Sequence, residues 1–352
     1  MSLTVAVPLF EAHPWFRNGH VQTIAGRFLP STPVRLRSSM HVIDLDDGDR
    51  LSVVDSVPEG WTAGEPLALL VHGLAGNAKA AYVARVASRL VRLGIRAVRM
   101  NLRGAGSGFG LARGIYHGGR TEDLRAVVDW LAERAPGSPI GLVGFSLGGN
   151  LVLKLAAEAA SVPLAGLDCV LAANPPLDLG ACCRHIQQSE NRVYDRHFVK
   201  MLREEIRKLH AAFPDLGPID LSQVKTVQEF DEAYTAPRNG FASAAEYYQQ
   251  ASAGPLVPQI KVPGLVVHAE DDPFIPPEPF RAIEFPPQLA LELIPGGGHL
   301  GYLCREPWQG VHRWLDVRLT SWMAEHWALE APKPTRRSLR AAAPFPLTRS
   351  RG

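Results

Sequence analysis

Short runs of apolar residues, spaced by stretches of helical period, constrain this chain more than any other feature. Leu67–Val71, Ile95–Met100, Ile140–Phe145, Asp168–Ala172 and Gly264–Val267 are too short for helices, and several are rich in Val or Leu. That character suits strands covered on both faces. Between them, Ala78–Leu93, Thr121–Arg134 and Leu147–Ala160 carry apolar residues at helical spacing. Strands alternating with helices of this length imply parallel βαβ units. Upstream, residues 41–55 alternate apolar and polar around Asp47-Gly48-Asp49, the signature of an antiparallel hairpin. The expected fold is therefore α/β, a mostly parallel central sheet carrying an N-terminal antiparallel hairpin.

Residues 177–258 break the rhythm. They are charged, aromatic and helix-prone (Asn191–Leu209, Gln223–Tyr234, Ala242–Ala251), with Pro175-Pro176 before them and Pro255 and Pro258 towards the end. This segment is expected to be a helical cap inserted between two core strands. The pattern then returns through a strand at Leu289–Ile294 and a final helix over Pro307–Ala328. Residues 1–330 thus form one domain with its cap insertion. Residues 331–352 are rich in Pro, Arg and Ser without apolar period, and are expected to be a disordered basic tail.

Charge excludes some partners. The chain carries a net charge of +2, and its last 22 residues hold six Lys or Arg and no acid, so the folded body is mildly acidic. Nothing in it calls for a nucleic-acid partner. The longest uncharged run that looks apolar, Ser138–Leu153, is too short and too glycine-rich to cross a bilayer, so no integral membrane segment is expected. The N-terminus lacks the basic and apolar regions of a leader. Four cysteines, two of them adjacent at Cys182 and Cys183, show neither a disulfide framework nor metal-ligand spacing. Reduced thiols and a cytoplasmic location are the expectation.

Chemistry concentrates at Gly144-Phe145-Ser146-Leu147-Gly148. A G-x-S-x-G match alone is weak, arising on the order of 0.1 times by chance in a chain this long. Here it joins a strand to a helix, so Ser146 sits on a sharp turn whose flanking glycines relieve crowding. A serine hydroxyl is a poor nucleophile unless a base and an orienting acid serve it, and in such folds these follow in the order Ser, Asp or Glu, His. The strand Gly264–Val267 runs into Asp271 and Asp272 just before Pro273. Asp272 begins the Asp-Pro-Phe-Ile-Pro turn and is the chosen acid. Asp271 is the runner-up, expected to face solvent or cap the turn. His299, in Gly296-Gly297-Gly298-His299, follows the next strand and is the expected base. Acyl transfer also needs donors for an oxyanion. The backbone N–H of Leu147 is one. The N–H of Leu74, in the His72-Gly73-Leu74 loop after Leu67–Val71, is the second. His72 and His117 are near-site candidates, and Arg103 is read as structural, bracing the loops. Trp15, Phe16, Tyr247 and Tyr248 are candidates for lining an acyl pocket or for core packing.

With these residues in hand, the chain resembles the YheT-type family of α/β-hydrolases, related to abhydrolase-domain esterases and lipases. The matching stretches are HPWFRNGHVQTI (13–24), HGLAGN (72–77), NLRGAGSG (101–108), YHGGRTEDL (116–124), GFSLGGN (144–150), NRVYDRHF (191–198), AEDDPFIPP (269–277) and GGGHLGY (296–302). The resemblance implies a Ser146, Asp272 and His299 triad and hydrolysis of short- or medium-chain carboxylic esters, a small-molecule ester or lipid being the substrate. It implies no metal or organic cofactor. A thioesterase or amidase would use the same parts. A non-catalytic protein binding a lipid or partner is the reading from a different class.

Overall fold

The computed structural model describes residues 7–29, 36–306 and 310–329. The elements run in the order α1 (Gly19–Phe28), β1 (Ser39–Asp44), β2 (Arg50–Ser56), β3 (Leu67–Val71), α2 (Ala81–Arg92), β4 (Arg96–Asn101), α3 (Thr121–Arg134), β5 (Ile140–Phe145), α4 (Leu147–Glu158) and β6 (Leu167–Ala173). Helices α5 (Leu179–Ile186), α6 (Arg192–Ala212), α7 (Val227–Phe230), α8 (Ala236–Arg238) and α9 (Ala244–Ala251) follow. The chain then returns through β7 (Gly264–Ala269), α10 (Glu278–Ala282), β8 (Leu289–Ile294), β9 (Leu303–Glu306), β10 (Gly310–Arg313) and α11 (Trp314–His326).

Eight strands form one sheet in the order β1-β2-β4-β3-β5-β6-β7-β8. The β1–β2 and β2–β4 pairs are antiparallel, and every other pair is parallel. The sheet's two faces explain the continuous apolar runs. Leu67, Leu69 and Val71 of β3 join one core with α3 and α4, while Ala68 and Leu70 join the other with α2 and α11. Strands buried this way have no solvent face on which to place a polar residue. On α2, Val83, Val86, Ala87 and Leu90 are buried, the i, i+3, i+4, i+7 stripe of a helix lying on a sheet.

Some elements depart from expectation. The final helix begins at Trp314, because Leu303–Glu306 and Gly310–Arg313 pair as an antiparallel hairpin ahead of it. Residues 307–309, where the helix was expected to start, lie outside the described residues, as does the basic tail. The expected helix over Gln223–Tyr234 is short. Val227–Phe230 is α-helical and passes into a π-turn at Asp231–Thr235. Helices α1 and α5 were not anticipated. Each opens on a side-chain cap, Asn18 Oδ1 accepting from His20 and Val21, and Asp178 Oδ1 from Ala181. Among the described residues no helix is long and apolar enough to cross a membrane.

The β5–α4 connection packs backbone against backbone. A Cβ on Gly144 would lie 2.2 Å from the Gly148 carbonyl oxygen, and one on Gly148 would lie 2.4 Å from that of Val71. These neighbours are backbone and have no rotamer to give. Gly148→Ala is expected to lower stability by about 2 kcal/mol or more, measured by urea unfolding; a loss under ~0.5 kcal/mol would mean that the contact relaxes.

Candidate active site

Five neighbouring parallel strands deliver the site from their carboxyl ends, where α/β sheets present functional groups. β3 leads into His72 and Leu74, β5 into Ser146, β6 into Asn174, β7 into Asp272, and β8 into the loop bearing His299.

Ser146 has φ 53° and ψ −124°, a strained conformation for a residue with a side chain. It is half-buried at the head of α4. The imidazole of His299 lies with Nε2 3.0 Å from Ser146 Oγ and Nδ1 2.8 Å from Asp272 Oδ2. All three predicted side chains therefore meet. Asp272 is buried, and its oxygens are fully used. Oδ2 accepts from His299 Nδ1 and from Asn174 Nδ2 at 2.7 Å, and Oδ1 from the N–H groups of Phe274 and Ile275. Burial alone would raise the Asp272 pKa, but the charge and hydrogen bond of His299 outweigh it and leave the group below the ordinary carboxylate value. An ionised acceptor facing Nδ1 holds the proton there and leaves Nε2 free to accept from the serine hydroxyl.

The runner-up acid has its own task. Asp271 Oδ1 accepts the N–H of Gly298 at 2.8 Å, so it grips the histidine loop instead of facing solvent. From the opposite side Thr23 Oγ1, on α1, accepts the N–H of His299 at 2.8 Å while donating to Gly19 O. A Cβ on Gly298 would meet Gly19 O at 2.3 Å, so the close approach of α1 requires glycine there. Asn174, also in the left-handed region at φ 46°, donates to Asp272 and accepts from Tyr302 Oη at 3.0 Å.

The β3 loop lies against the nucleophile: a Cβ on Gly73 would fall 2.9 Å from Ser146 Cβ. Gly73 N–H donates to Tyr82 Oη and Ala75 N–H to Tyr116 Oη, while between them the Leu74 N–H has no acceptor among the described residues. Leu147 N–H, in the first turn of α4, has no intrahelical acceptor either. Tyr116 Oη also donates to Glu205 on α6, tying the β3 loop to the helical segment. His72 shapes the same loop from beneath: Nδ1 donates to Gly73 O and Nε2 accepts from Leu102 N–H. Burial holds this imidazole neutral, with a pKa of about 4.

A cavity of about 500 Å³ opens over Ser146, walled by Leu147, Leu179, Phe198, Leu202, Val227 and Phe230 among others. Tyr247, Tyr248 and His117 line it, but Trp15 and Phe16 do not. Trp15 is 80% exposed, on the N-terminal segment outside the cavity. Arg103 braces the neighbouring loops through Asp123, Asp47 and Asp49. A donor set of metal-binding type occurs at Asp168, Cys169 and His326. Its carboxylate already accepts from His326 Nε2 and Trp327 Nε1, at the far end of β6 from Ser146.

A sequence model described as the α/β-hydrolase fold matches residues 66–305. The chain is 32% identical, over 88% of its length and 92% of the relative's, to YheT of Escherichia coli (strain K12), provisionally named an esterase. The chain belongs to the α/β-hydrolase family. This α/β-hydrolase is also 29% identical to the phospholipase ABHD3 of Mus musculus, over 82% of its own length and 72% of the relative's. Among solved structures, Est1E of Butyrivibrio proteoclasticus shares the fold, with a TM-score of 0.53 and 18% identity over 83% of this chain and 100% of the other.

The sequence does not single out Asn174 or Thr23, and it offers Asp271 as the runner-up acid without its bond to the histidine loop. Asn174 follows a core strand directly, which is a usable signal; Thr23 sits on an unanticipated helix and offered none. His268, next to the acid turn, is fully buried and stacks on Phe280 at 3.9 Å. Burial lowers its pKa to about 4. The unfolded chain binds a proton at His268 below about pH 6.5 that the folded chain refuses until about pH 4, so this contribution to stability is present at neutral pH and lost on acidification. Between pH 7 and pH 5 the wild-type protein should lose about 2 kcal/mol more than His268→Leu, read by urea unfolding at both pH values; parallel losses would show that His268 titrates normally.

Proposed function

We propose that this carboxylic ester hydrolase works through an acyl-enzyme on Ser146, with His299 as general base and acid and Asp272 orienting it. The observation that carries the reading is the continuous hydrogen-bonded line from Ser146 Oγ to His299 Nε2 at 3.0 Å and from His299 Nδ1 to Asp272 at 2.8 Å. His299 takes the serine proton as Oγ attacks the ester carbonyl. The N–H groups of Leu74 and Leu147 receive the oxyanion, each donor contributing about 3 kcal/mol to the transition state. The tetrahedral species collapses, the alcohol leaves with the proton from His299, and the acyl group stays on Ser146. Water then gives its proton to His299 and attacks the acyl carbonyl. The acid is released and the proton returns to Oγ.

The helical segment over 177–258 acts as a cap. Leu179, Leu202 and Phe230 supply apolar wall to the cavity, which suits a short- or medium-chain acyl group, and the names of the relatives point to ester and lipid substrates. The required groups are supplied by side chains and backbone, so the reaction is written without a cofactor.

A fluorophosphonate probe is expected to label the wild-type protein and not Ser146→Ala; equal labelling of folded samples would place the nucleophile elsewhere. Asp272→Asn removes the acceptor that orients the imidazole and should cost on the order of 10³–10⁴-fold in kcat. Asp271→Asn keeps an oxygen that can accept the Gly298 N–H and weakens only the loop tether, so it should cost about tenfold or less. Steady-state kinetics on p-nitrophenyl butyrate decide this, and the reverse ranking would exchange the two acids.

A further inference from the structure

The cavity over Ser146 is lined by Phe109, half exposed, and by the buried residues Phe230, Asp231 and Tyr248. Tyr248 also lines a second concavity of about 910 Å³, between α5, α9 and α10. Among the described residues, only Tyr248 and Cys183 line both spaces. The partition is therefore one layer of side chains thick, and the Tyr248 ring is its bulk.

That ring is anchored at its tip. Tyr248 Oη donates to Asp231 Oδ2 at 2.8 Å and lies 3.2 Å from Cys183 Sγ, and the ring packs against Tyr247 at 5.2 Å between centroids. Asp231 has no cation paired with it among the described ion pairs. Burial raises its pKa to about 6, with hydrogen bonds from Thr235 and Tyr248 working in the other direction. A buried carboxyl is costly unless its bonds are used, and here they hold the tip of a tyrosine.

We propose, on the esterase reading just given, that Tyr248 is the end wall of the acyl site and sets the longest chain the enzyme accepts. The second concavity is the space into which a longer chain passes when the ring is removed. Each methylene gained in an apolar site is worth a sizeable factor in kcat/KM, so opening the wall changes chain-length preference strongly.

The test compares kcat/KM for p-nitrophenyl laurate and butyrate. Tyr248→Ala should raise the laurate-to-butyrate ratio by about tenfold or more. Tyr248→Phe keeps the ring and should leave the ratio near that of the wild type. Adding Ala245→Trp, which refills the second concavity, should bring the ratio of Tyr248→Ala back down. Should Tyr248→Ala fail to fold, Tyr248→Leu replaces it, with an expected rise of about threefold. An unchanged ratio in a folded variant that still turns over both esters overturns the end wall. Ester turnover that persists in Ser146→Ala overturns Ser146 as the nucleophile, and no turnover of either ester by the wild-type protein overturns the esterase reading, so these failures are told apart from that of the end wall.

Discussion

At Ser146 a strand and a helix meet with their backbones too close for any side chain to stand between them. Gly144 and Gly148 are the residues that let this happen, and the same Gly148 packs against the carbonyls of Val71 and His72. One set of contacts thus fixes two things at once. It throws Ser146 into a left-handed conformation at the tip of the turn, and it seats the outgoing β3 loop beside it. The hydroxyl and the Leu74 N–H are positioned relative to each other by main-chain packing, which has little freedom to drift.

The acid and the imidazole are held differently, by saturated hydrogen bonding. Asp272 spends both oxygens on four donors, from His299, Asn174, Phe274 and Ile275. A buried carboxylate with that many partners is stable as an anion in one orientation. His299 in turn is pinned through its own backbone by Thr23 and through its neighbour Gly298 by Asp271. The site is thus rigid where its parts must meet, while the cavity above it is bounded by side chains from the helical segment between β6 and β7.

The core strands and the residues at their ends were legible because they obey local rules. Strands β3, β5 and β8 fall where the apolar runs predict, and the glycine-flanked serine announces its turn. The buried supports were not legible, and for a physical reason. Asn174 is a polar residue after a strand until a tyrosine 128 residues away and an aspartate 98 residues away meet it. Asp271 reads as a runner-up acid that faces solvent or caps the turn because its partner, an N–H group 27 residues on, leaves no mark in the pattern. The final helix was read too early because the β9–β10 pairing that precedes Trp314 is a tertiary contact. Arg103, by contrast, reads as a brace from the sequence and is one, its guanidinium being paired with three aspartates.

Helix α1 lies outside the stretch shared with the broad family, which begins at residue 66. Yet the loop carrying the imidazole is shaped against it. Gly26 abuts Gly301, Gln22 exchanges hydrogen bonds with Leu303, and Gly19 touches both Asp271 and Gly298. The amino-terminal residues therefore serve as the mould in which the last functional loop sets. A fragment trimmed to the family boundary would retain the serine's turn and its acid while losing the surface that gives the histidine its address.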